Sequence, residues 1–442
     1  MSTDGPRVLI VGGGLFQLDV IQAARDLGAQ VAVVDRDAAA PGMALADHPL
    51  PIDTSDTAAV LDAARRLAID GVTTAASDVA VAAVARVVDA LGLPGAGQAV
   101  AERATDKLET ARCLLDAGLS TPPTQAVRDL SEARQAISRV GGYPIVIKPR
   151  SSAGGRGVTV VQGEGALSAA LERAARYGEG PQRVLVQGFA QGVSVGVEAF
   201  FWQGELIAFF AMDDQYQEGF VSPVGHSIPC TLAPDALAGV RAEVAAFGRA
   251  IGIESGPANF DLRLEAGTTT LIEVNLRLGG NSITELVRLA HGVDLSRATV
   301  TAALGRSPAA LLDVQRQRAS AVRLILKRGR GRASFRGDPA AACAADDVER
   351  VDVSVEDGVE ATMRVDDWTL LGRCITKGAS AEARAAEVAL AVASAIEVRA
   401  SSERLRTPEQ VGAYWDSQVE SVAADAELAE LGTVTGPRAV VA

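Results

Sequence analysis

Apolar residues fall into two kinds of repeat along this chain, and the change from one to the other divides it. Up to about residue 100, apolar runs at 8–11, 29–34 and 72–76 alternate with segments at 16–27 and 80–91 whose apolar positions recur at helical spacing. Buried strands alternating with amphipathic helices predict a parallel sheet covered by helices on both faces. From about 105 to 300 the texture becomes α+β. There the clearest signal is a period of two: Phe260, Ile272, Val274 and Leu276 alternate with Asp261, Glu273 and Asn275. Alternate side chains of a strand point to opposite faces. Two neighbouring strands joined by Glu265-Ala-Gly-Thr-Thr would therefore aim two carboxylates and an amide at one point. After residue 305 come predicted strands at 321–326, 349–353 and 361–364 and a helix at 381–396. The last forty or so residues, rich in Ala and acids, are expected to be helical and then frayed.

Composition narrows the class. A chain of 442 residues is too long for one core and implies two or three domains. Its 48% hydrophobic and 22% charged residues suit a globular protein with a large interior. A formal charge of −13 argues against nucleic acid as a main partner, because phosphate chains want a basic face. No apolar run approaches the roughly 18 residues of a membrane span, and residues 1–7 lack a signal-peptide layout. No membrane partner is expected, and the expected location is cytoplasmic. Cys113, Cys230, Cys343 and Cys374 are scattered without zinc or CxxC spacing and are expected to be free thiols, Cys113 in a core. His48 and His291 are expected to be structural.

Candidate chemistry is concentrated in two places. Asp261, Glu273 and Asn275 offer hard oxygen donors, which suit Mg²⁺, an ion that keeps waters and shares its shell with nucleotide phosphates. Arg277 follows on the same face, where a guanidinium can clamp phosphate or carboxylate oxygens. A hairpin with a solvated acidic face is the plain alternative. Upstream, two apolar runs at 145–147 and 158–161 flank a loop with Gly154, Gly155 and Gly157, and Lys148 ends the first run. Glycines permit the positive φ angles that turn backbone N–H groups toward an anion. This is not a Walker A loop, because no Gly-Lys-Ser/Thr closes it. Gly12-Gly-Gly14 after the first strand, with Asp35 after the second, suggests a nicotinamide-dinucleotide site as a competing reading. Ser77-Asp78 ends the third predicted strand, either as a substrate-side contact or as a helix cap. The basic run 327–332 is either a solvated hairpin tip or a loop that attracts an anionic substrate.

Taken together these segments resemble the ATP-grasp superfamily, and within it the carboxylate–amine ligases, including the L-amino-acid ligases and the biotin-carboxylase-like enzymes. The resemblance runs from about residue 8 to 291, and more weakly to the C-terminus, with its elements in the family's order. It implies a Rossmann-like N-terminal domain at 1–104 that binds no dinucleotide. A central ATP-grasp domain at 105–304 would follow, with a mobile lid at about 125–190, and then a small α+β domain at 305–442. It also implies ATP and Mg²⁺ as cofactors, with Mn²⁺ as a substitute ion. Lys107 and Lys148 match the two nucleotide-contacting lysines, and Ser151, Gly154, Gly155 and Gly157 fall in the loop that closes over the phosphates. Val184-Leu-Val-Gln-Gly-Phe-Ala190 matches the strand that meets adenine, bringing in Gln187, Phe189 and Ala190. Asp261, Glu273 and Asn275 match the magnesium ligands, and Arg277 the arginine that steadies the transferring phosphoryl group. His226, in a Gly-His-x-x-Pro element, resembles a histidine close to the phosphates and substrate. Three departures stand out. Gln187 replaces the usual Glu at adenine, and Asp261 the commoner Glu at the metal. Ser194 replaces the Glu that grips the ribose, which leaves Glu198 or a water to substitute.

The activity implied is ATP-dependent joining of a small carboxylic acid to an amine, at least one of them an amino acid. An acyl phosphate would be the intermediate, with Arg277, His226 and Lys148 as the catalytic residues. A bicarbonate-activating carboxylase is the alternative enzyme, opposed by Asn281 eight residues after Glu273, where biotin carboxylase has a catalytic Glu. A nucleotide-sensing or dinucleotide-binding protein is the non-catalytic alternative. The expected partners are small molecules, with a homodimer left open.

Overall fold

The computed structural model describes residues 5–399 except 153, 179, 218–219, 339–344, 362–363 and 366–367, together with 440–441. Cys343 and most of the acidic C-terminal segment lie outside the described residues.

β1 (Arg7–Val11), β2 (Gln30–Asp35), β3 (His48–Pro51) and β4 (Gly71–Thr73) form a parallel sheet in the order β3-β2-β1-β4. β1 and β2 are almost wholly buried, as continuous apolar runs covered on both faces should be. β3 escaped the sequence pattern because its Pro49 and Pro51 lack N–H donors. It survives as the edge strand, where a missing donor costs least. The apolar run at 72–76 is strand only as far as Thr73; beyond it Ala75 forms a parallel bridge to Leu278. The Gly12–Gly14 turn satisfies itself: the Gly12 N–H donates to Val34 O at 2.7 Å and the Gly13 N–H to Asp35 Oδ2 at 2.8 Å. Asp35 is thus spent on the very loop that a dinucleotide would need.

β5 (Thr124–Val127), β6 (Ile145–Pro149), β7 (Thr159–Val161) and β8 (Val184–Gly188) make an antiparallel sheet in the order β5-β8-β6-β7. With the helices Leu130–Arg139 and Leu167–Ala175 it closes a core of its own around Ile145, Ile147, Leu167 and Val186.

The largest sheet collects β9 (Val193–Trp202), β10 (Glu205–Gln215), β11 (Gly225–Ile228), β12 (Gly256–Glu265), β13 (Thr268–Asn275) and β14 (Ser320–Arg328). β15 (Arg332–Phe335) stands apart from it, and β16 (Val348–Val353), β17 (Arg364–Val365) and β18 (Trp368–Lys377) extend it. Its order is β13-β12-β9-β10-β11-β14-β18-β16, with β17 on β18 and β20 (Val440–Val441) on β16, while β15 pairs with β19 (Ile396–Arg399). Hydrogen bonding between β11 and β14 carries this sheet across residue 304, where the apolar pattern had suggested a division. One core also spans the three parts. Val8, Ile10 and Ile21 pack in one cluster with Phe200 and Phe210, with Leu286 and Val287 of the helix Ile283–His291, and with Val322 and Ile375. Pairing between distant strands leaves no trace in a local hydrophobic period, so only the folded chain reveals it. Among the described residues no helix is long and apolar enough to cross a membrane.

Candidate functional site

The alternating segment folds as a hairpin whose register shifts by one residue between Asp261 and Leu262. In the β12–β13 hairpin Asp261 stands directly opposite Glu273, and Asn259 opposite Asn275. On the other flank of β12, β9 sets Gly196 beside Asp261 and Glu198 beside Asn259. Among the described residues no cation contacts Asp261 directly, and its carboxyl is pushed up to about 8, by burial first and then by the facing Glu273. Burial acts on Glu273 in the same sense, but Lys107 and Lys148 outweigh it and hold that carboxyl below its usual value.

Both lysines come from other elements. Lys107 opens the helix Lys107–Asp116, whose first turn is capped by the Asp106 carboxylate. Its Nζ lies 3.1 Å from Glu273 Oε1 and donates to Ser152 O at 3.0 Å. Lys148, on β6, is 4% exposed, and burial together with the Lys107 charge lowers its pKa to about 8. The glycine loop takes the predicted conformation, with φ of +62° at Gly154, +69° at Gly155 and +77° at Gly157. Ser152, Gly154, Gly155 and Arg156 line the central cavity, whereas Ser151 and Gly157 do not. Gly157 is needed for packing instead, since a Cβ there would come within 2.9 Å of Pro149 and Tyr177. Arg150 is turned away to Asp106 and Glu109.

Gln187, Phe189 and Ala190 line the same cavity. Gln187 donates its Nε2–H to Thr124 Oγ1 at 2.8 Å, so its amide oxygen is not consumed by that bond. Ser194 also lines the cavity, but its hydroxyl donates to Asp214 Oδ2 at 2.7 Å and lies 3.0 Å from the Tyr216 hydroxyl. Glu198 does not substitute for it. It is fully buried away from the cavity wall, accepting the Asn259 Nδ2–H and the Gly279 N–H at 3.1 Å each, and supports the turn after β13. The ribose assignment of Glu198 is therefore corrected: the register of β9 puts it four residues deeper than Ser194.

His226 lines the cavity, with Nδ1 2.9 Å from Asp214 Oδ1 across the β10–β11 pair. Asp214 was missed, although strand alternation through Met212, Asp213 and Asp214 could have marked it. Gly196 leaves room for it, since a Cβ there would sit 2.8 Å from Asp214 Oδ1. Arg277 is 9% exposed and is held by Asp78, with Nε and Nη2 each 2.7 Å from Oδ1. Ser77 occupies the N-cap position of the helix Asp78–Leu91 without a side-chain cap bond, and both Ser77 and Asp78 line the cavity. Arg330, from the basic run, reaches the cavity wall as well. The structure thus gathers Lys107, Lys148, Gln187, Ser194, His226, Asp261, Glu273, Asn275 and Arg277 around one cavity of about 1280 Å³. Cys113 is half-buried rather than in a core, with Sγ 3.0 Å from Ala250 O.

Residues 141–285, which carry the glycine loop, the β12–β13 hairpin and His226, match a family model described as the ATP-grasp domain. The chain contains an ATP-grasp domain. Over 264 residues the chain is 32% identical to the formate-dependent phosphoribosylglycinamide formyltransferase of Bordetella avium, covering 54% of this chain and 61% of that one. Over 226 residues it is 28% identical to the carbamoyl phosphate synthase large chain of Kocuria rhizophila, covering 50% of this chain and 20% of that one. The chain thus spans from a fifth to about three fifths of the length of these relatives. Its fold superposes on the L-amino acid ligase of Bacillus licheniformis with a TM-score of 0.74 at 20% identity, covering 90% of this chain and all of that one.

The donor set fits the magnesium that ATP-grasp enzymes use. Among the described residues no group of three His, Cys, Asp or Glu could hold a metal by itself. Two facing carboxylates, one of them raised by burial and by the other's charge, with an amide two residues on, suit an ion that completes its shell with water and phosphate.

Proposed function

We propose that the protein is an ATP-dependent carboxylate–amine ligase that joins two small molecules, at least one of them an amino acid, through an acyl phosphate. The observation that carries this reading is the convergence of Lys107, Lys148 and Arg277 on the Asp261–Glu273 pair beside a left-handed glycine loop. That arrangement answers a chain of phosphates. Asp261, Glu273 and Asn275 would hold magnesium, which supplies charge neutralisation across the phosphates.

In the first step a carboxylate oxygen of the substrate attacks the γ-phosphorus and the bond to ADP breaks. In the second an amine nitrogen attacks the acyl carbon and phosphate leaves, with the amine losing a proton. Two anions must meet in the first step, so catalysis is chiefly positioning and charge neutralisation. Lys148 and Lys107 bind phosphate oxygens, and Arg277, braced by Asp78, meets the moving phosphoryl group. The amide edge of Gln187 and the strand to Ala190 receive the base. His226 is oriented through Nδ1 by Asp214, which leaves Nε2 to take the proton of the incoming amine. The glycine loop, already against Ser222, keeps water from the acyl phosphate.

A formate-activating variant of the same chemistry is the second reading, favoured by the 32% identity to a formate-dependent relative. Oxygen-18 placed in the acid's carboxylate tests the mechanism. The label should appear in released phosphate, because the attacking oxygen leaves with phosphorus. Stoichiometric AMP and pyrophosphate would refute it.

A further inference from the structure

We infer that the end of the cavity between the N-terminal sheet and the turn after β13 is a subsite for an apolar side group on the carboxylate substrate. The acid activated is then an organic acid larger than formate or bicarbonate. The inference rests on the ligase reading and adds the class of acid. Three observations carry it.

The cavity, about 1280 Å³, exceeds the roughly 300–1,000 Å³ of pockets that enclose one drug-sized ligand. It has room for a nucleotide and a further molecule.

Its wall also carries apolar groups left in the open. Phe16 is 38% and Val79 50% exposed, and both line the cavity, as do Ala76 and Ile283, which lie against Gly280 and Gly279 of the turn after β13. Scattered exposed apolar side chains need no explanation, but a set of them converging in a polar-rimmed cavity marks a ligand surface. The set lies next to the reacting end. Val79 follows Asp78, which holds Arg277, and the Ala76 N–H donates to Leu278 O at 3.0 Å. A substrate carboxylate at Arg277 would direct the remainder of its molecule onto Phe16 and Val79. Formate and bicarbonate have no remainder to place there.

Finally, the shelf is built firmly. Arg373, from β18, lies with its guanidinium carbon 5.9 Å from the centre of the Phe16 ring. The same guanidinium is anchored by Asp352 at 2.7 Å and bonds the Ser282 hydroxyl. Ser282 and the cavity-lining Asn281 are consecutive left-handed residues, with φ of +62° and +52°. Serine, unlike glycine or asparagine, seldom adopts this conformation, and the bond from Arg373 helps hold Ser282 in it. One arginine therefore steadies both the ring and the turn facing it, which is the preorganisation a specificity pocket requires.

The test does not need the native amine, because hydroxylamine captures an acyl phosphate as a hydroxamate. The protein is given Mg-ATP and hydroxylamine with, in turn, formate, bicarbonate, acetate, glycine, leucine, phenylalanine, 4-methylpentanoate and 3-phenylpropanoate. ADP and hydroxamate are both measured. At least one of the four apolar acids should exceed all four small acids in kcat/KM by ~10- to 200-fold, the discrimination that hydrophobic pockets give. Phe16→Ala and Val79→Ser should each lower that ratio about tenfold, while Phe16→Leu retains most of it. Small acids that match or beat the apolar ones, or a ratio that neither substitution moves, would overturn the subsite and leave the ligase reading standing. ADP release with none of the eight acids would sink both.

Discussion

Replacing Glu198 by Gln probes a fully buried carboxylate that, among the described residues, has no cation in direct contact. Glu198 is fully buried, accepts the Gly279 N–H and the Asn259 Nδ2–H, and has its pKa pushed from 4.5 up to about 7 by burial, against the pull of Arg277. Between these two values the folded state keeps a proton that the unfolded state has released. Its contribution to stability is therefore present at low pH and is lost as pH rises from 4.5 through 7. At about 1.4 kcal/mol per pH unit, the ionised form costs the folded state roughly 3 kcal/mol above pH 7. Glutamine carries no such cost, although its NH₂ group meets the Gly279 N–H less well, which gives a constant offset. Glu198→Gln should thus gain roughly 2–3 kcal/mol on wild type between pH 5 and pH 8. Urea unfolding followed by tryptophan fluorescence at the two pH values measures it. A stability difference that does not change with pH refutes the buried-carboxylate argument. If the KM for ATP rises instead, Glu198 belongs at the ribose after all.

Other outcomes follow from the same geometry. Glu273→Gln should keep the fold but lower turnover by ~100-fold or more, since it removes a carboxylate from a site with only two; ordinary turnover at millimolar Mg²⁺ would contradict the metal assignment. Gly196→Ala places a methyl 2.8 Å from Asp214 Oδ1, closer than ordinary contact, and must loosen the bonds from His226 and Ser194. A loss of ~1.5–3 kcal/mol is expected in thermal or urea unfolding. Gly163→Ala, with open space around it, should be nearly neutral as a control, and equal behaviour of the two would show that Asp214 is not pinned.

Much of the site was legible because its chemistry is encoded in local periods. Glu273 and Asn275 alternate with apolar residues, and a strand has only two faces, so the spacing put these two donors on one of them, whereas Asp261 joins them only through the register shift between Asp261 and Leu262. Gly154, Gly155 and Gly157 announced a left-handed loop because few other residues adopt positive φ at no cost. The runs at 8–11 and 29–34 announced buried parallel strands. Where the readings failed, the deciding contact joins residues far apart in sequence. Glu198 looked like a ribose ligand four residues after Ser194, yet the β9–β12 register turns it under Gly279. Ser151 sits inside the glycine loop but off the cavity wall. The tie from His226 to Asp214 needed the pairing of β10 with β11.

The sequence by itself determined the kinds of element, the faces they bury and the donors on the hairpin, since these depend on periods of two and of 3.6 residues and on glycine's freedom. Only the tertiary structure decided that Lys107 meets Glu273 and that Asp78 braces Arg277 across 199 positions. It alone joined β14 to β11, making the central and C-terminal parts one sheet. It alone brought Phe16 and Val79 to one cavity and set Arg373 over the Phe16 ring. Such contacts are set by packing and strand register over long loops, and a local pattern carries no record of which distant partner wins.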